Sequence, residues 1–363
     1  MLQSIEIENF RCFRHSRFEN FGQVNLIGGK NNAGKTALLE AIFLMNNPNQ
    51  HGIRVLQDHR VENPWLYIHY ADIAWENFFY QQNKTKSIGL VGVFDEDSAS
   101  VKISCVEIKN LYSGEKKNGE FIRIEDSEKQ TELSLSRLDI YSESKNGTSF
   151  VSIPHSYIEK PTIIISPETE PKQKTTFLVQ TGFRANPVYL ARELDKTKLN
   201  GDTNHILEAF RLIDDSIEKI DTINLGEPRI YIFRKNEKPQ PLNFFGDALN
   251  KIADLILRVS NNPNCILLID EIENGIHYTN QQEFWQMLIK LAVAKDVQIF
   301  ATSHSEEMIH AFQSAAVSES QEGKVRFIEM YRSQRTGEIV GDSVDMETLA
   351  FDIQNNNPYR GEE

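Results

Sequence analysis

A complete phosphate-loop pattern, G-x-x-x-x-G-K-[ST], lies near the start of the chain, with its fixed positions at Gly29, Gly34, Lys35 and Thr36. Apolar residues precede the pattern and a helix-like run over 37–44 follows it, which is the strand, turn and helix that a phosphate cradle requires. Glycines let the backbone turn its N–H groups toward phosphate oxygens, and the helix N-terminus adds partial positive charge. We expect Lys35 to reach the terminal phosphates and Thr36 to hold Mg²⁺.

A second group of polar residues follows a run of apolar ones. Residues 265–269 are apolar throughout and lead directly into Asp270 and Glu271. A strand that is apolar on both faces belongs in a buried parallel sheet, and such sheets bind ligands at the carboxyl ends of their strands. We therefore expect Asp270 to hold Mg²⁺ opposite Thr36, directly or through water, and Glu271 to orient or deprotonate the attacking water. A buried strand that merely ends in surface acids is the alternative.

Two further side chains could contact a phosphate. His304 follows the next predicted strand, over 297–302, which comes after a helix predicted over 280–294. An imidazole at that sheet edge would contact a γ-phosphate or its attacking water, whereas a helix-capping or core histidine is the alternative. Arg11, upstream of the phosphate loop, could reach a phosphate oxygen or could lie on the surface.

The residues between the two motif regions predict an insertion. Short β-like runs separated by polar turns over 87–170 indicate an antiparallel meander. We predict an α/β fold of the P-loop NTPase kind, a mixed sheet flanked by helices, with an inserted, mainly β arm or lid. The predicted domains are a discontinuous head of residues 1–46 and 187–341, an insertion of residues 47–186, and a polar C-terminal tail of residues 342–363, of which 354–363 are expected to be loose.

The part of the chain after the insertion is predicted to alternate helices and strands. Residues 205–213 have the period of an amphipathic helix, and Ile217 and Ile220 continue that period beyond Ile213. A further helix is predicted over 247–259. These helices would flank the sheet that carries the two motif regions.

The bulk composition limits the class of protein. The chain has 363 residues, 40% of them hydrophobic, and a formal charge of −13, which argues against a surface coated with nucleic-acid-binding charge but leaves a local basic groove or a basic partner open. The cysteines, Cys12, Cys105 and Cys265, are far apart and favour a reducing, cytoplasmic setting over a disulfide framework or a zinc site. We expect no signal peptide and no membrane segment.

Taken in chain order, these elements resemble the ABC-type ATPase heads of the RecF, SMC and overcoming-lysogenization-defect families, and more closely the stand-alone ATPases of bacterial defence and repair operons. Residues 5–11 look like the family's first strand and turn, residues 269–277 like its metal-binding Asp, catalytic Glu and following loop, and residues 302–305 like its switch histidine. The resemblance implies ATP and Mg²⁺ as ligands and ATP hydrolysis as the activity, with Glu271 and His304 as catalytic residues. The metal would be held by Thr36 and Asp270, and the nucleotide by Gly29, Asn31, Asn32, Ala33, Gly34, Lys35, Thr36 and Arg11.

One segment departs from the family pattern. The family's signature segment usually carries a serine ahead of a glycine, whereas residues 242–247 contain Gly246 and Asp247 but no serine, so Asn243 would replace the hydroxyl. The resemblance implies that this segment completes the ATP site of the opposite subunit, and hence a homodimer or higher oligomer through ATP-bridged heads. The family's glutamine loop has no clear counterpart in the sequence, and Gln81 and Gln82 are candidates for it. Because residues 342–363 offer no acidic strand constellation, we expect no intrinsic nuclease.

Three functions remain open at this point. The first is an ATP-driven switch or sensor that works with an effector protein in anti-phage defence or DNA repair, a role that only the resemblance implies; nucleic acid could also bind. The second, motivated by the altered signature segment, is a scaffold that binds ATP but barely hydrolyses it. The third is a P-loop kinase or GTPase, although the N-K-x-D guanine motif is absent because Asn250, Lys251 and Asp254 have the wrong spacing.

Overall fold

The computed structural model divides the described chain into two compact units. The first unit comprises Met1–Ile5, Arg17–Asn46 and Gln173–Glu363, and the second comprises Glu6–Ser16 and Asn47–Lys172. This division groups residues 6–16 with the second unit and the described residues between 174 and 186 with the first, and the predicted domain bounds stay a prediction. The structure describes residues 1–60, 75–95, 97–108, 114–117, 120–123, 135–154, 164–165, 174–182, 184–201, 203–355 and 357–359. Parts of the predicted insertion (61–74, 96, 109–113, 118–119, 124–134, 155–163, 166–173 and 183) and of the predicted tail (356 and 360–363) lie outside the described residues.

Strands and helices are numbered in chain order. The strands are β1 Leu2–Phe10, β2 Phe13–Phe18, β3 Val24–Gly29, β4 Ile88–Phe94, β5 Asp97–Ile108, β6 Gly114–Lys117, β7 Glu120–Arg123, β8 Leu135–Ser144, β9 Gly147–Pro154, β10 Ile164–Ile165, β11 Thr176–Val179, β12 Ile217–Asn224, β13 Pro228–Arg234, β14 Gln240–Pro241, β15 Ile266–Ile269, β16 Gln298–Thr302, β17 Val325–Arg332 and β18 Ile339–Val344. The helices are α1 Lys35–Asn46, α2 Gln50–His59, α3 Pro187–Leu199, α4 Thr203–Ile213, α5 Asp247–Asn261, α6 Gln281–Ala294, α7 Glu306–Ser318 and α8 Met346–Gln354.

The first unit is built on a six-stranded sheet with the order β11-β15-β16-β3-β17-β18. All neighbours are parallel except β17 and β18, which are antiparallel. Every residue of β3, β15 and β16 is buried, as expected of parallel strands covered on both faces. A small antiparallel sheet, β12-β13-β14, belongs to the same unit. The parallel order brings the carboxyl ends of β3, β15 and β16 to one edge.

The flanking helices bury apolar faces on this sheet. In α5 the buried positions include Leu249, Ile252, Leu255 and Ile256, which recur at helical spacing. The helices α6 and α7 pack against each other, with Trp285 and Phe312 in an edge-on contact at a centroid distance of 4.8 Å. This apolar packing fixes the helices beside the sheet, and so restrains the loops that connect them at the sheet edge.

A seven-stranded sheet has the order β10-β9-β8-β5-β4-β1-β2; its strands β4, β5 and β8–β10 belong to the second unit, as do parts of β1 and β2. Its pairs β4/β5, β5/β8, β8/β9 and β9/β10 are antiparallel, so the predicted antiparallel β character of the insertion is present. In β4, Ile88 and Leu90 are buried whereas Val91 and Val93 are exposed, which is the alternation of a sheet with one covered face. A separate hairpin pairs β6 with β7.

Two predictions about the later chain are wrong. The helix predicted to continue through Ile217 and Ile220 ends at Ile213, and Ile217 begins β12. A β-bulge between Ile217 and Lys219 lets both isoleucines be buried although they are three positions apart in a strand. Residues 342–363 are not a polar tail throughout, because β18 extends to Val344 and α8, with its buried apolar residues, follows it.

The helix α8 has its own cap and apolar face. The side chain of Asp345 accepts a 2.8 Å hydrogen bond from the backbone N–H of Thr348, and Met346 and Leu349 are buried. The apolar pattern of α8 covers too few residues to be distinguished, in the sequence alone, from a polar tail. In the described part of the chain, no helix is both long enough and apolar enough to cross a bilayer.

Candidate nucleotide site

The phosphate loop joins β3 to α1 through a backbone that only certain residues tolerate. Gly29, Asn32 and Gly34 have positive φ values of 148°, 64° and 91°. A side chain at Gly29 would also collide with the backbone carbonyl of Met330 on β17, so that position needs glycine for two reasons. The loop delivers the chain to the N-terminus of α1, where backbone N–H groups without helical partners favour an anion.

Lys35 is folded back onto the loop that precedes it. The residue is only 5% exposed, and its ammonium donates to the carbonyls of Gly29 at 2.6 Å and Lys30 at 3.1 Å, and to Nδ1 of His304 at 3.0 Å. An ammonium has no acceptor, so Nδ1 of His304 must be unprotonated in this contact. The lysine therefore connects the phosphate loop to the end of β16.

His304 is held in place from both sides. Its backbone N–H donates to Oε1 of Glu273 at 2.7 Å, and its Nε2 lies 3.9 Å from Oε1 of Glu271. Burial lowers the pKa of His304 below its usual value, and the positive charge of Lys35 lowers the pKa further. The neutral imidazole, with its proton on Nε2, is the form that this geometry favours.

Thr36 and Asp270 meet at the sheet edge, as the sequence analysis expected. The Thr36 hydroxyl donates to the two carboxylate oxygens of Asp270 at 3.1 and 3.2 Å. Thr302, at the end of β16, donates to Oδ1 of Asp270 at 2.7 Å. A hydroxyl and a carboxylate side by side are oxygen ligands that Mg²⁺ accepts, so the donor set fits that ion.

Glu271 has an unusual backbone conformation. Its φ is 48°, a left-handed value that costs a residue with a side chain about 1 kcal/mol or more. Its N–H donates to the Thr302 hydroxyl at 2.8 Å, and its Oε2 accepts from the Asn274 amide at 2.7 Å. Thr302 thus joins the two acidic residues, because it donates to one and accepts from the other.

Lys251 was missed by the sequence reasoning. From α5 its ammonium donates to the carbonyls of Glu271 at 2.8 Å, Ile272 at 3.2 Å and Asn274 at 3.3 Å. Burial lowers the pKa of Lys251 to about 8. The sequence signal for Lys251 is its position between the buried residues Asn250 and Ile252 of an amphipathic helix. In the sequence analysis this lysine enters only the comparison with the guanine motif, whose spacing it does not satisfy.

The predicted signature segment lies at the start of α5. Gly246 is the N-cap residue, Asp247 accepts a hydrogen bond from Arg184 Nε at 2.6 Å, and the Asn250 amide donates to the carbonyls of Phe245 and Gly246 at 3.3 and 3.2 Å. Asn243 belongs to a short 3₁₀ turn, Leu242–Phe244. The structure joins this segment to Arg184 and Asn250 and does not bring it to the phosphate loop of the same chain.

Arg11 and the two candidate glutamines belong to the second unit. The Arg11 guanidinium donates to the Asn77 carbonyl at 2.8 Å and lies 4.5 Å from the centre of the Phe78 ring. Gln81 and Gln82 have positive φ values of 49° and 59° in a 3₁₀ turn. A phosphate-binding role for Arg11 and a glutamine-loop role for Gln81 and Gln82 stay predictions.

Comparisons with known proteins indicate an ATPase domain, which agrees with the geometry of the site. Residues 1–176 and 249–309 match the model of a family described as "AAA ATPase domain". The chain is 24% identical over 338 residues to an "ATP/GTP phosphatase" of Helicobacter pylori, a match that covers 85% of this chain and 86% of that protein. It is also 31% identical over 106 residues to an uncharacterized protein of Methanocaldococcus jannaschii, which covers 28% of this chain and 46% of that protein.

Among solved structures, the chain is similar to heads of SMC proteins. A crystal structure of the SmcHead bound to the C-winged helix domain of ScpA has a TM-score of 0.50 and 12% identity, and the match covers 96% of this chain and 99% of that one. An SMC head domain from Thermotoga maritima has a TM-score of 0.39 and 13% identity over 94% of this chain and 98% of that one. At this level of identity the first likeness establishes the fold: a mixed sheet flanked by helices, as in an ABC-type head.

Proposed function

Because the chain belongs to the AAA ATPase domain family, we propose that it binds ATP with Mg²⁺ and hydrolyses the nucleotide at the carboxyl edge of its parallel sheet. One observation carries this assignment. An unbroken chain of hydrogen bonds runs from Thr36 through Asp270 and Thr302 to Glu271, and so joins the phosphate loop to the acids that follow β15. The predicted phosphate-binding, metal-binding and base residues thereby share one edge.

Different residues would bind the phosphate groups and the metal ion. The N–H groups of the phosphate loop and the ammonium of Lys35 would bind the β- and γ-phosphate oxygens, once the lysine exchanges its contacts with the Gly29 and Lys30 carbonyls for phosphate. Thr36 and Asp270 would hold Mg²⁺, which when bound neutralises phosphate charge. The near-complete burial of Lys35 and Asp270 strengthens these electrostatic contacts.

Glu271 is the residue we assign to the attacking water. Asn274 holds Oε2 of this carboxylate, and Oε1 lies toward the His304 imidazole. Oε1 would accept the proton of the water, and the Nε2–H of His304 would donate to an oxygen of the γ-phosphate. The neutral form of His304 that burial favours is the form that can donate in this way without adding a charge.

A second copy of the chain would complete the site. The start of α5 presents the Gly246 region, and the neighbouring Phe244 side chain is 75% exposed. The described hydrogen bonds of this segment are with Arg184 and Asn250, and its helix N-terminus would bind the nucleotide of a second head. The SmcHead structure, which is bound to a domain of ScpA, supports extending the proposal to an effector protein. Anti-phage defence or DNA repair is the biological setting we propose.

Replacing Glu271 by Gln tests this function. The amide cannot accept the proton, so we expect the turnover number to fall about 10²–10⁴-fold while the dissociation constant for ATP changes by less than about twofold. The trapped ATP state should elute as a dimer in size-exclusion chromatography. Glu283→Gln, which changes an exposed acid on α6, is the matched control and should behave as the native protein. Native turnover in Glu271→Gln would refute the assignment.

GTP is a second candidate substrate. The printed name of the Helicobacter pylori relative includes both ATP and GTP, and phosphate-loop contacts do not read the base. Phosphate release from ATP and from GTP at equal concentrations distinguishes the two. We expect ATP to be preferred; a preference for GTP would transfer the same chemistry to the other nucleotide. Tight ATP binding with turnover at background would instead support a binding scaffold.

A further inference from the structure

Lys251 makes all three of its hydrogen bonds to one loop. The loop is residues 271–275, which follow β15 and Asp270, and the acceptors are the carbonyls of Glu271, Ile272 and Asn274. An ammonium with three donors is saturated by three such carbonyls. A single side chain of α5 therefore gathers the carbonyl oxygens of the loop that carries the proposed catalytic carboxylate.

The backbone of Glu271 needs this support. A left-handed φ at a residue with a side chain persists only where the surroundings over-determine it. The N–H of Glu271 donates to the Thr302 hydroxyl, and its carbonyl accepts from Lys251 at 2.8 Å and from the backbone N–H of Asn274 at 3.1 Å. Two of these three contacts come from side chains of other elements. Without the lysine the carbonyl would keep only the contact within its own loop, and the left-handed φ that directs the carboxylate would be less constrained.

Burying the lysine is costly, which argues that its position matters. Burial lowers the pKa of Lys251 to about 8, and only the nearby carboxylates of Glu273, Glu271 and Asp270 oppose that shift. An apolar side chain of similar length would avoid the cost and would still fill the space beside the helix. The ammonium contributes contacts to the loop that an apolar side chain could not make.

The same loop also contacts the first turn of α5. A Cβ atom built on Gly275 would lie 3.2 Å from the backbone nitrogen of Ala248, so the loop and the helix start are in close contact. Ala248 follows Gly246 and Asp247 of the predicted signature segment. The start of α5 and the catalytic loop are thus joined twice, at Gly275 and through Lys251.

From this geometry we propose that Lys251 is a positioning residue, which holds Glu271 in its reactive orientation and links it to the helix that starts at the signature segment. The inference rests on the proposed function, because it assumes that Glu271 acts on the attacking water. A nucleotide bound to a second head would contact the start of α5. Its presence would then affect Glu271 through α5, because this helix carries both the signature segment and Lys251.

A Lys251→Met substitution tests the proposal. It keeps the length of the side chain and removes its donors, so we expect the turnover number to fall about 10–100-fold while the dissociation constant for ATP stays within about twofold. Lys290→Met, on the exposed side of α6, is the matched control and should leave turnover unchanged. A native turnover number in folded Lys251→Met, with Glu271→Gln inactive, would overturn the inference and leave the proposed function intact.

A double-substitution cycle separates positioning from general destabilisation. If Lys251 acts through Glu271, then Lys251→Met should lower single-turnover hydrolysis by less than about twofold in the Glu271→Gln background. Loss of the same factor in both backgrounds would overturn the inference. Where Lys251→Met does not fold, Lys251→Gln is subjected to the same cycle and the same criteria. Native hydrolysis in Glu271→Gln alone would instead mark a failure of the proposed function.

Discussion

The two largest sheets of the molecule use polar side chains differently. At the edge of the six-stranded sheet, polar contacts join residues that are distant in sequence: Thr36 and Asp270 are 234 positions apart. On β8 and β9 of the seven-stranded sheet they join neighbours: the hydroxyls of Ser142 and Ser149, opposite each other, are 2.7 Å apart and seven positions apart in sequence. Parallel strands collect their carboxyl ends at one edge, whereas antiparallel strands pair locally, and this difference determines where chemistry can concentrate.

The largest expected effect distinguishes two lysines. Lys35→Met removes the ammonium from the phosphate loop, and we expect ATP turnover to fall about 10²–10³-fold with a parallel loss of ATP affinity. Lys102→Met removes an exposed lysine of β5 in the other sheet and should change both by less than about twofold. Phosphate release and equilibrium binding of ATP are the measurements. Undiminished ATP affinity in Lys35→Met would break the comparison between the two sheets.

Two glycines sharpen the comparison through the backbone. Gly29→Ala would combine a positive φ with a collision against the Met330 carbonyl, and we expect the free energy of unfolding to fall by about 2–3 kcal/mol. Gly89→Ala, in β4, would meet the Glu8 side chain at ordinary contact distances, 3.4 Å from Oε2 and 3.6 Å from Cβ, and should change stability by less than about 0.5 kcal/mol. Urea denaturation measures both. Equal losses would show that the phosphate loop is no more constrained than the antiparallel strand.

Two hydroxyls provide the next test. Thr302→Val keeps the side-chain shape but leaves Asp270 and the Glu271 N–H without a shared partner, so we expect stability to fall by about 1–3 kcal/mol and turnover about tenfold. Ser142→Ala removes a cross-strand hydroxyl of the other sheet and should cost about 1 kcal/mol with native turnover. Turnover that follows stability equally in both variants would contradict a special role for Thr302.

The smallest expected effect concerns pH. Burial and the charge of Lys35 lower the pKa of His304, so the unfolded chain binds this proton more readily than the folded chain. The contribution of His304 to stability is therefore complete above the ordinary histidine pKa of about 6.5 and declines as the pH falls below it. Unfolding free energies of the nucleotide-free protein from pH 7.5 to pH 5.5 should decline more steeply than those of His304→Asn. Identical slopes would show that His304 does not titrate differently on folding.

Much of the site's geometry could be predicted from the sequence, because each strand that ends at the site can be recognised from its own run of apolar residues. The phosphate loop, the acids after residues 265–269 and the histidine after residues 297–302 each end a recognisable strand, and strand ends of one parallel sheet must meet. The structure accordingly brings Lys35, Asp270 and His304 together. Their chemical roles stay predictions until the substitutions are measured.

Features that depend on pairing between distant segments could not be predicted. The strand β11 is only four residues long, and nothing in its own sequence shows that it pairs with β15 at the edge of the sheet. The bulge between Ile217 and Lys219 disguised a strand as a helix because it changes the spacing of buried residues. The contacts of Lys251 depend on the path of a loop, which no periodicity encodes.

The central place of β3 has a consequence for synthesis of the protein. Asn25 on β3 donates to the carbonyl of Ile299 on β16, 274 residues later in the chain. A ribosome that adds about 5–20 residues per second needs on the order of tens of seconds to cover that distance. During that interval the phosphate loop lacks the neighbouring strands that shape it. ATP therefore cannot bind at the complete site until most of the polypeptide has been translated.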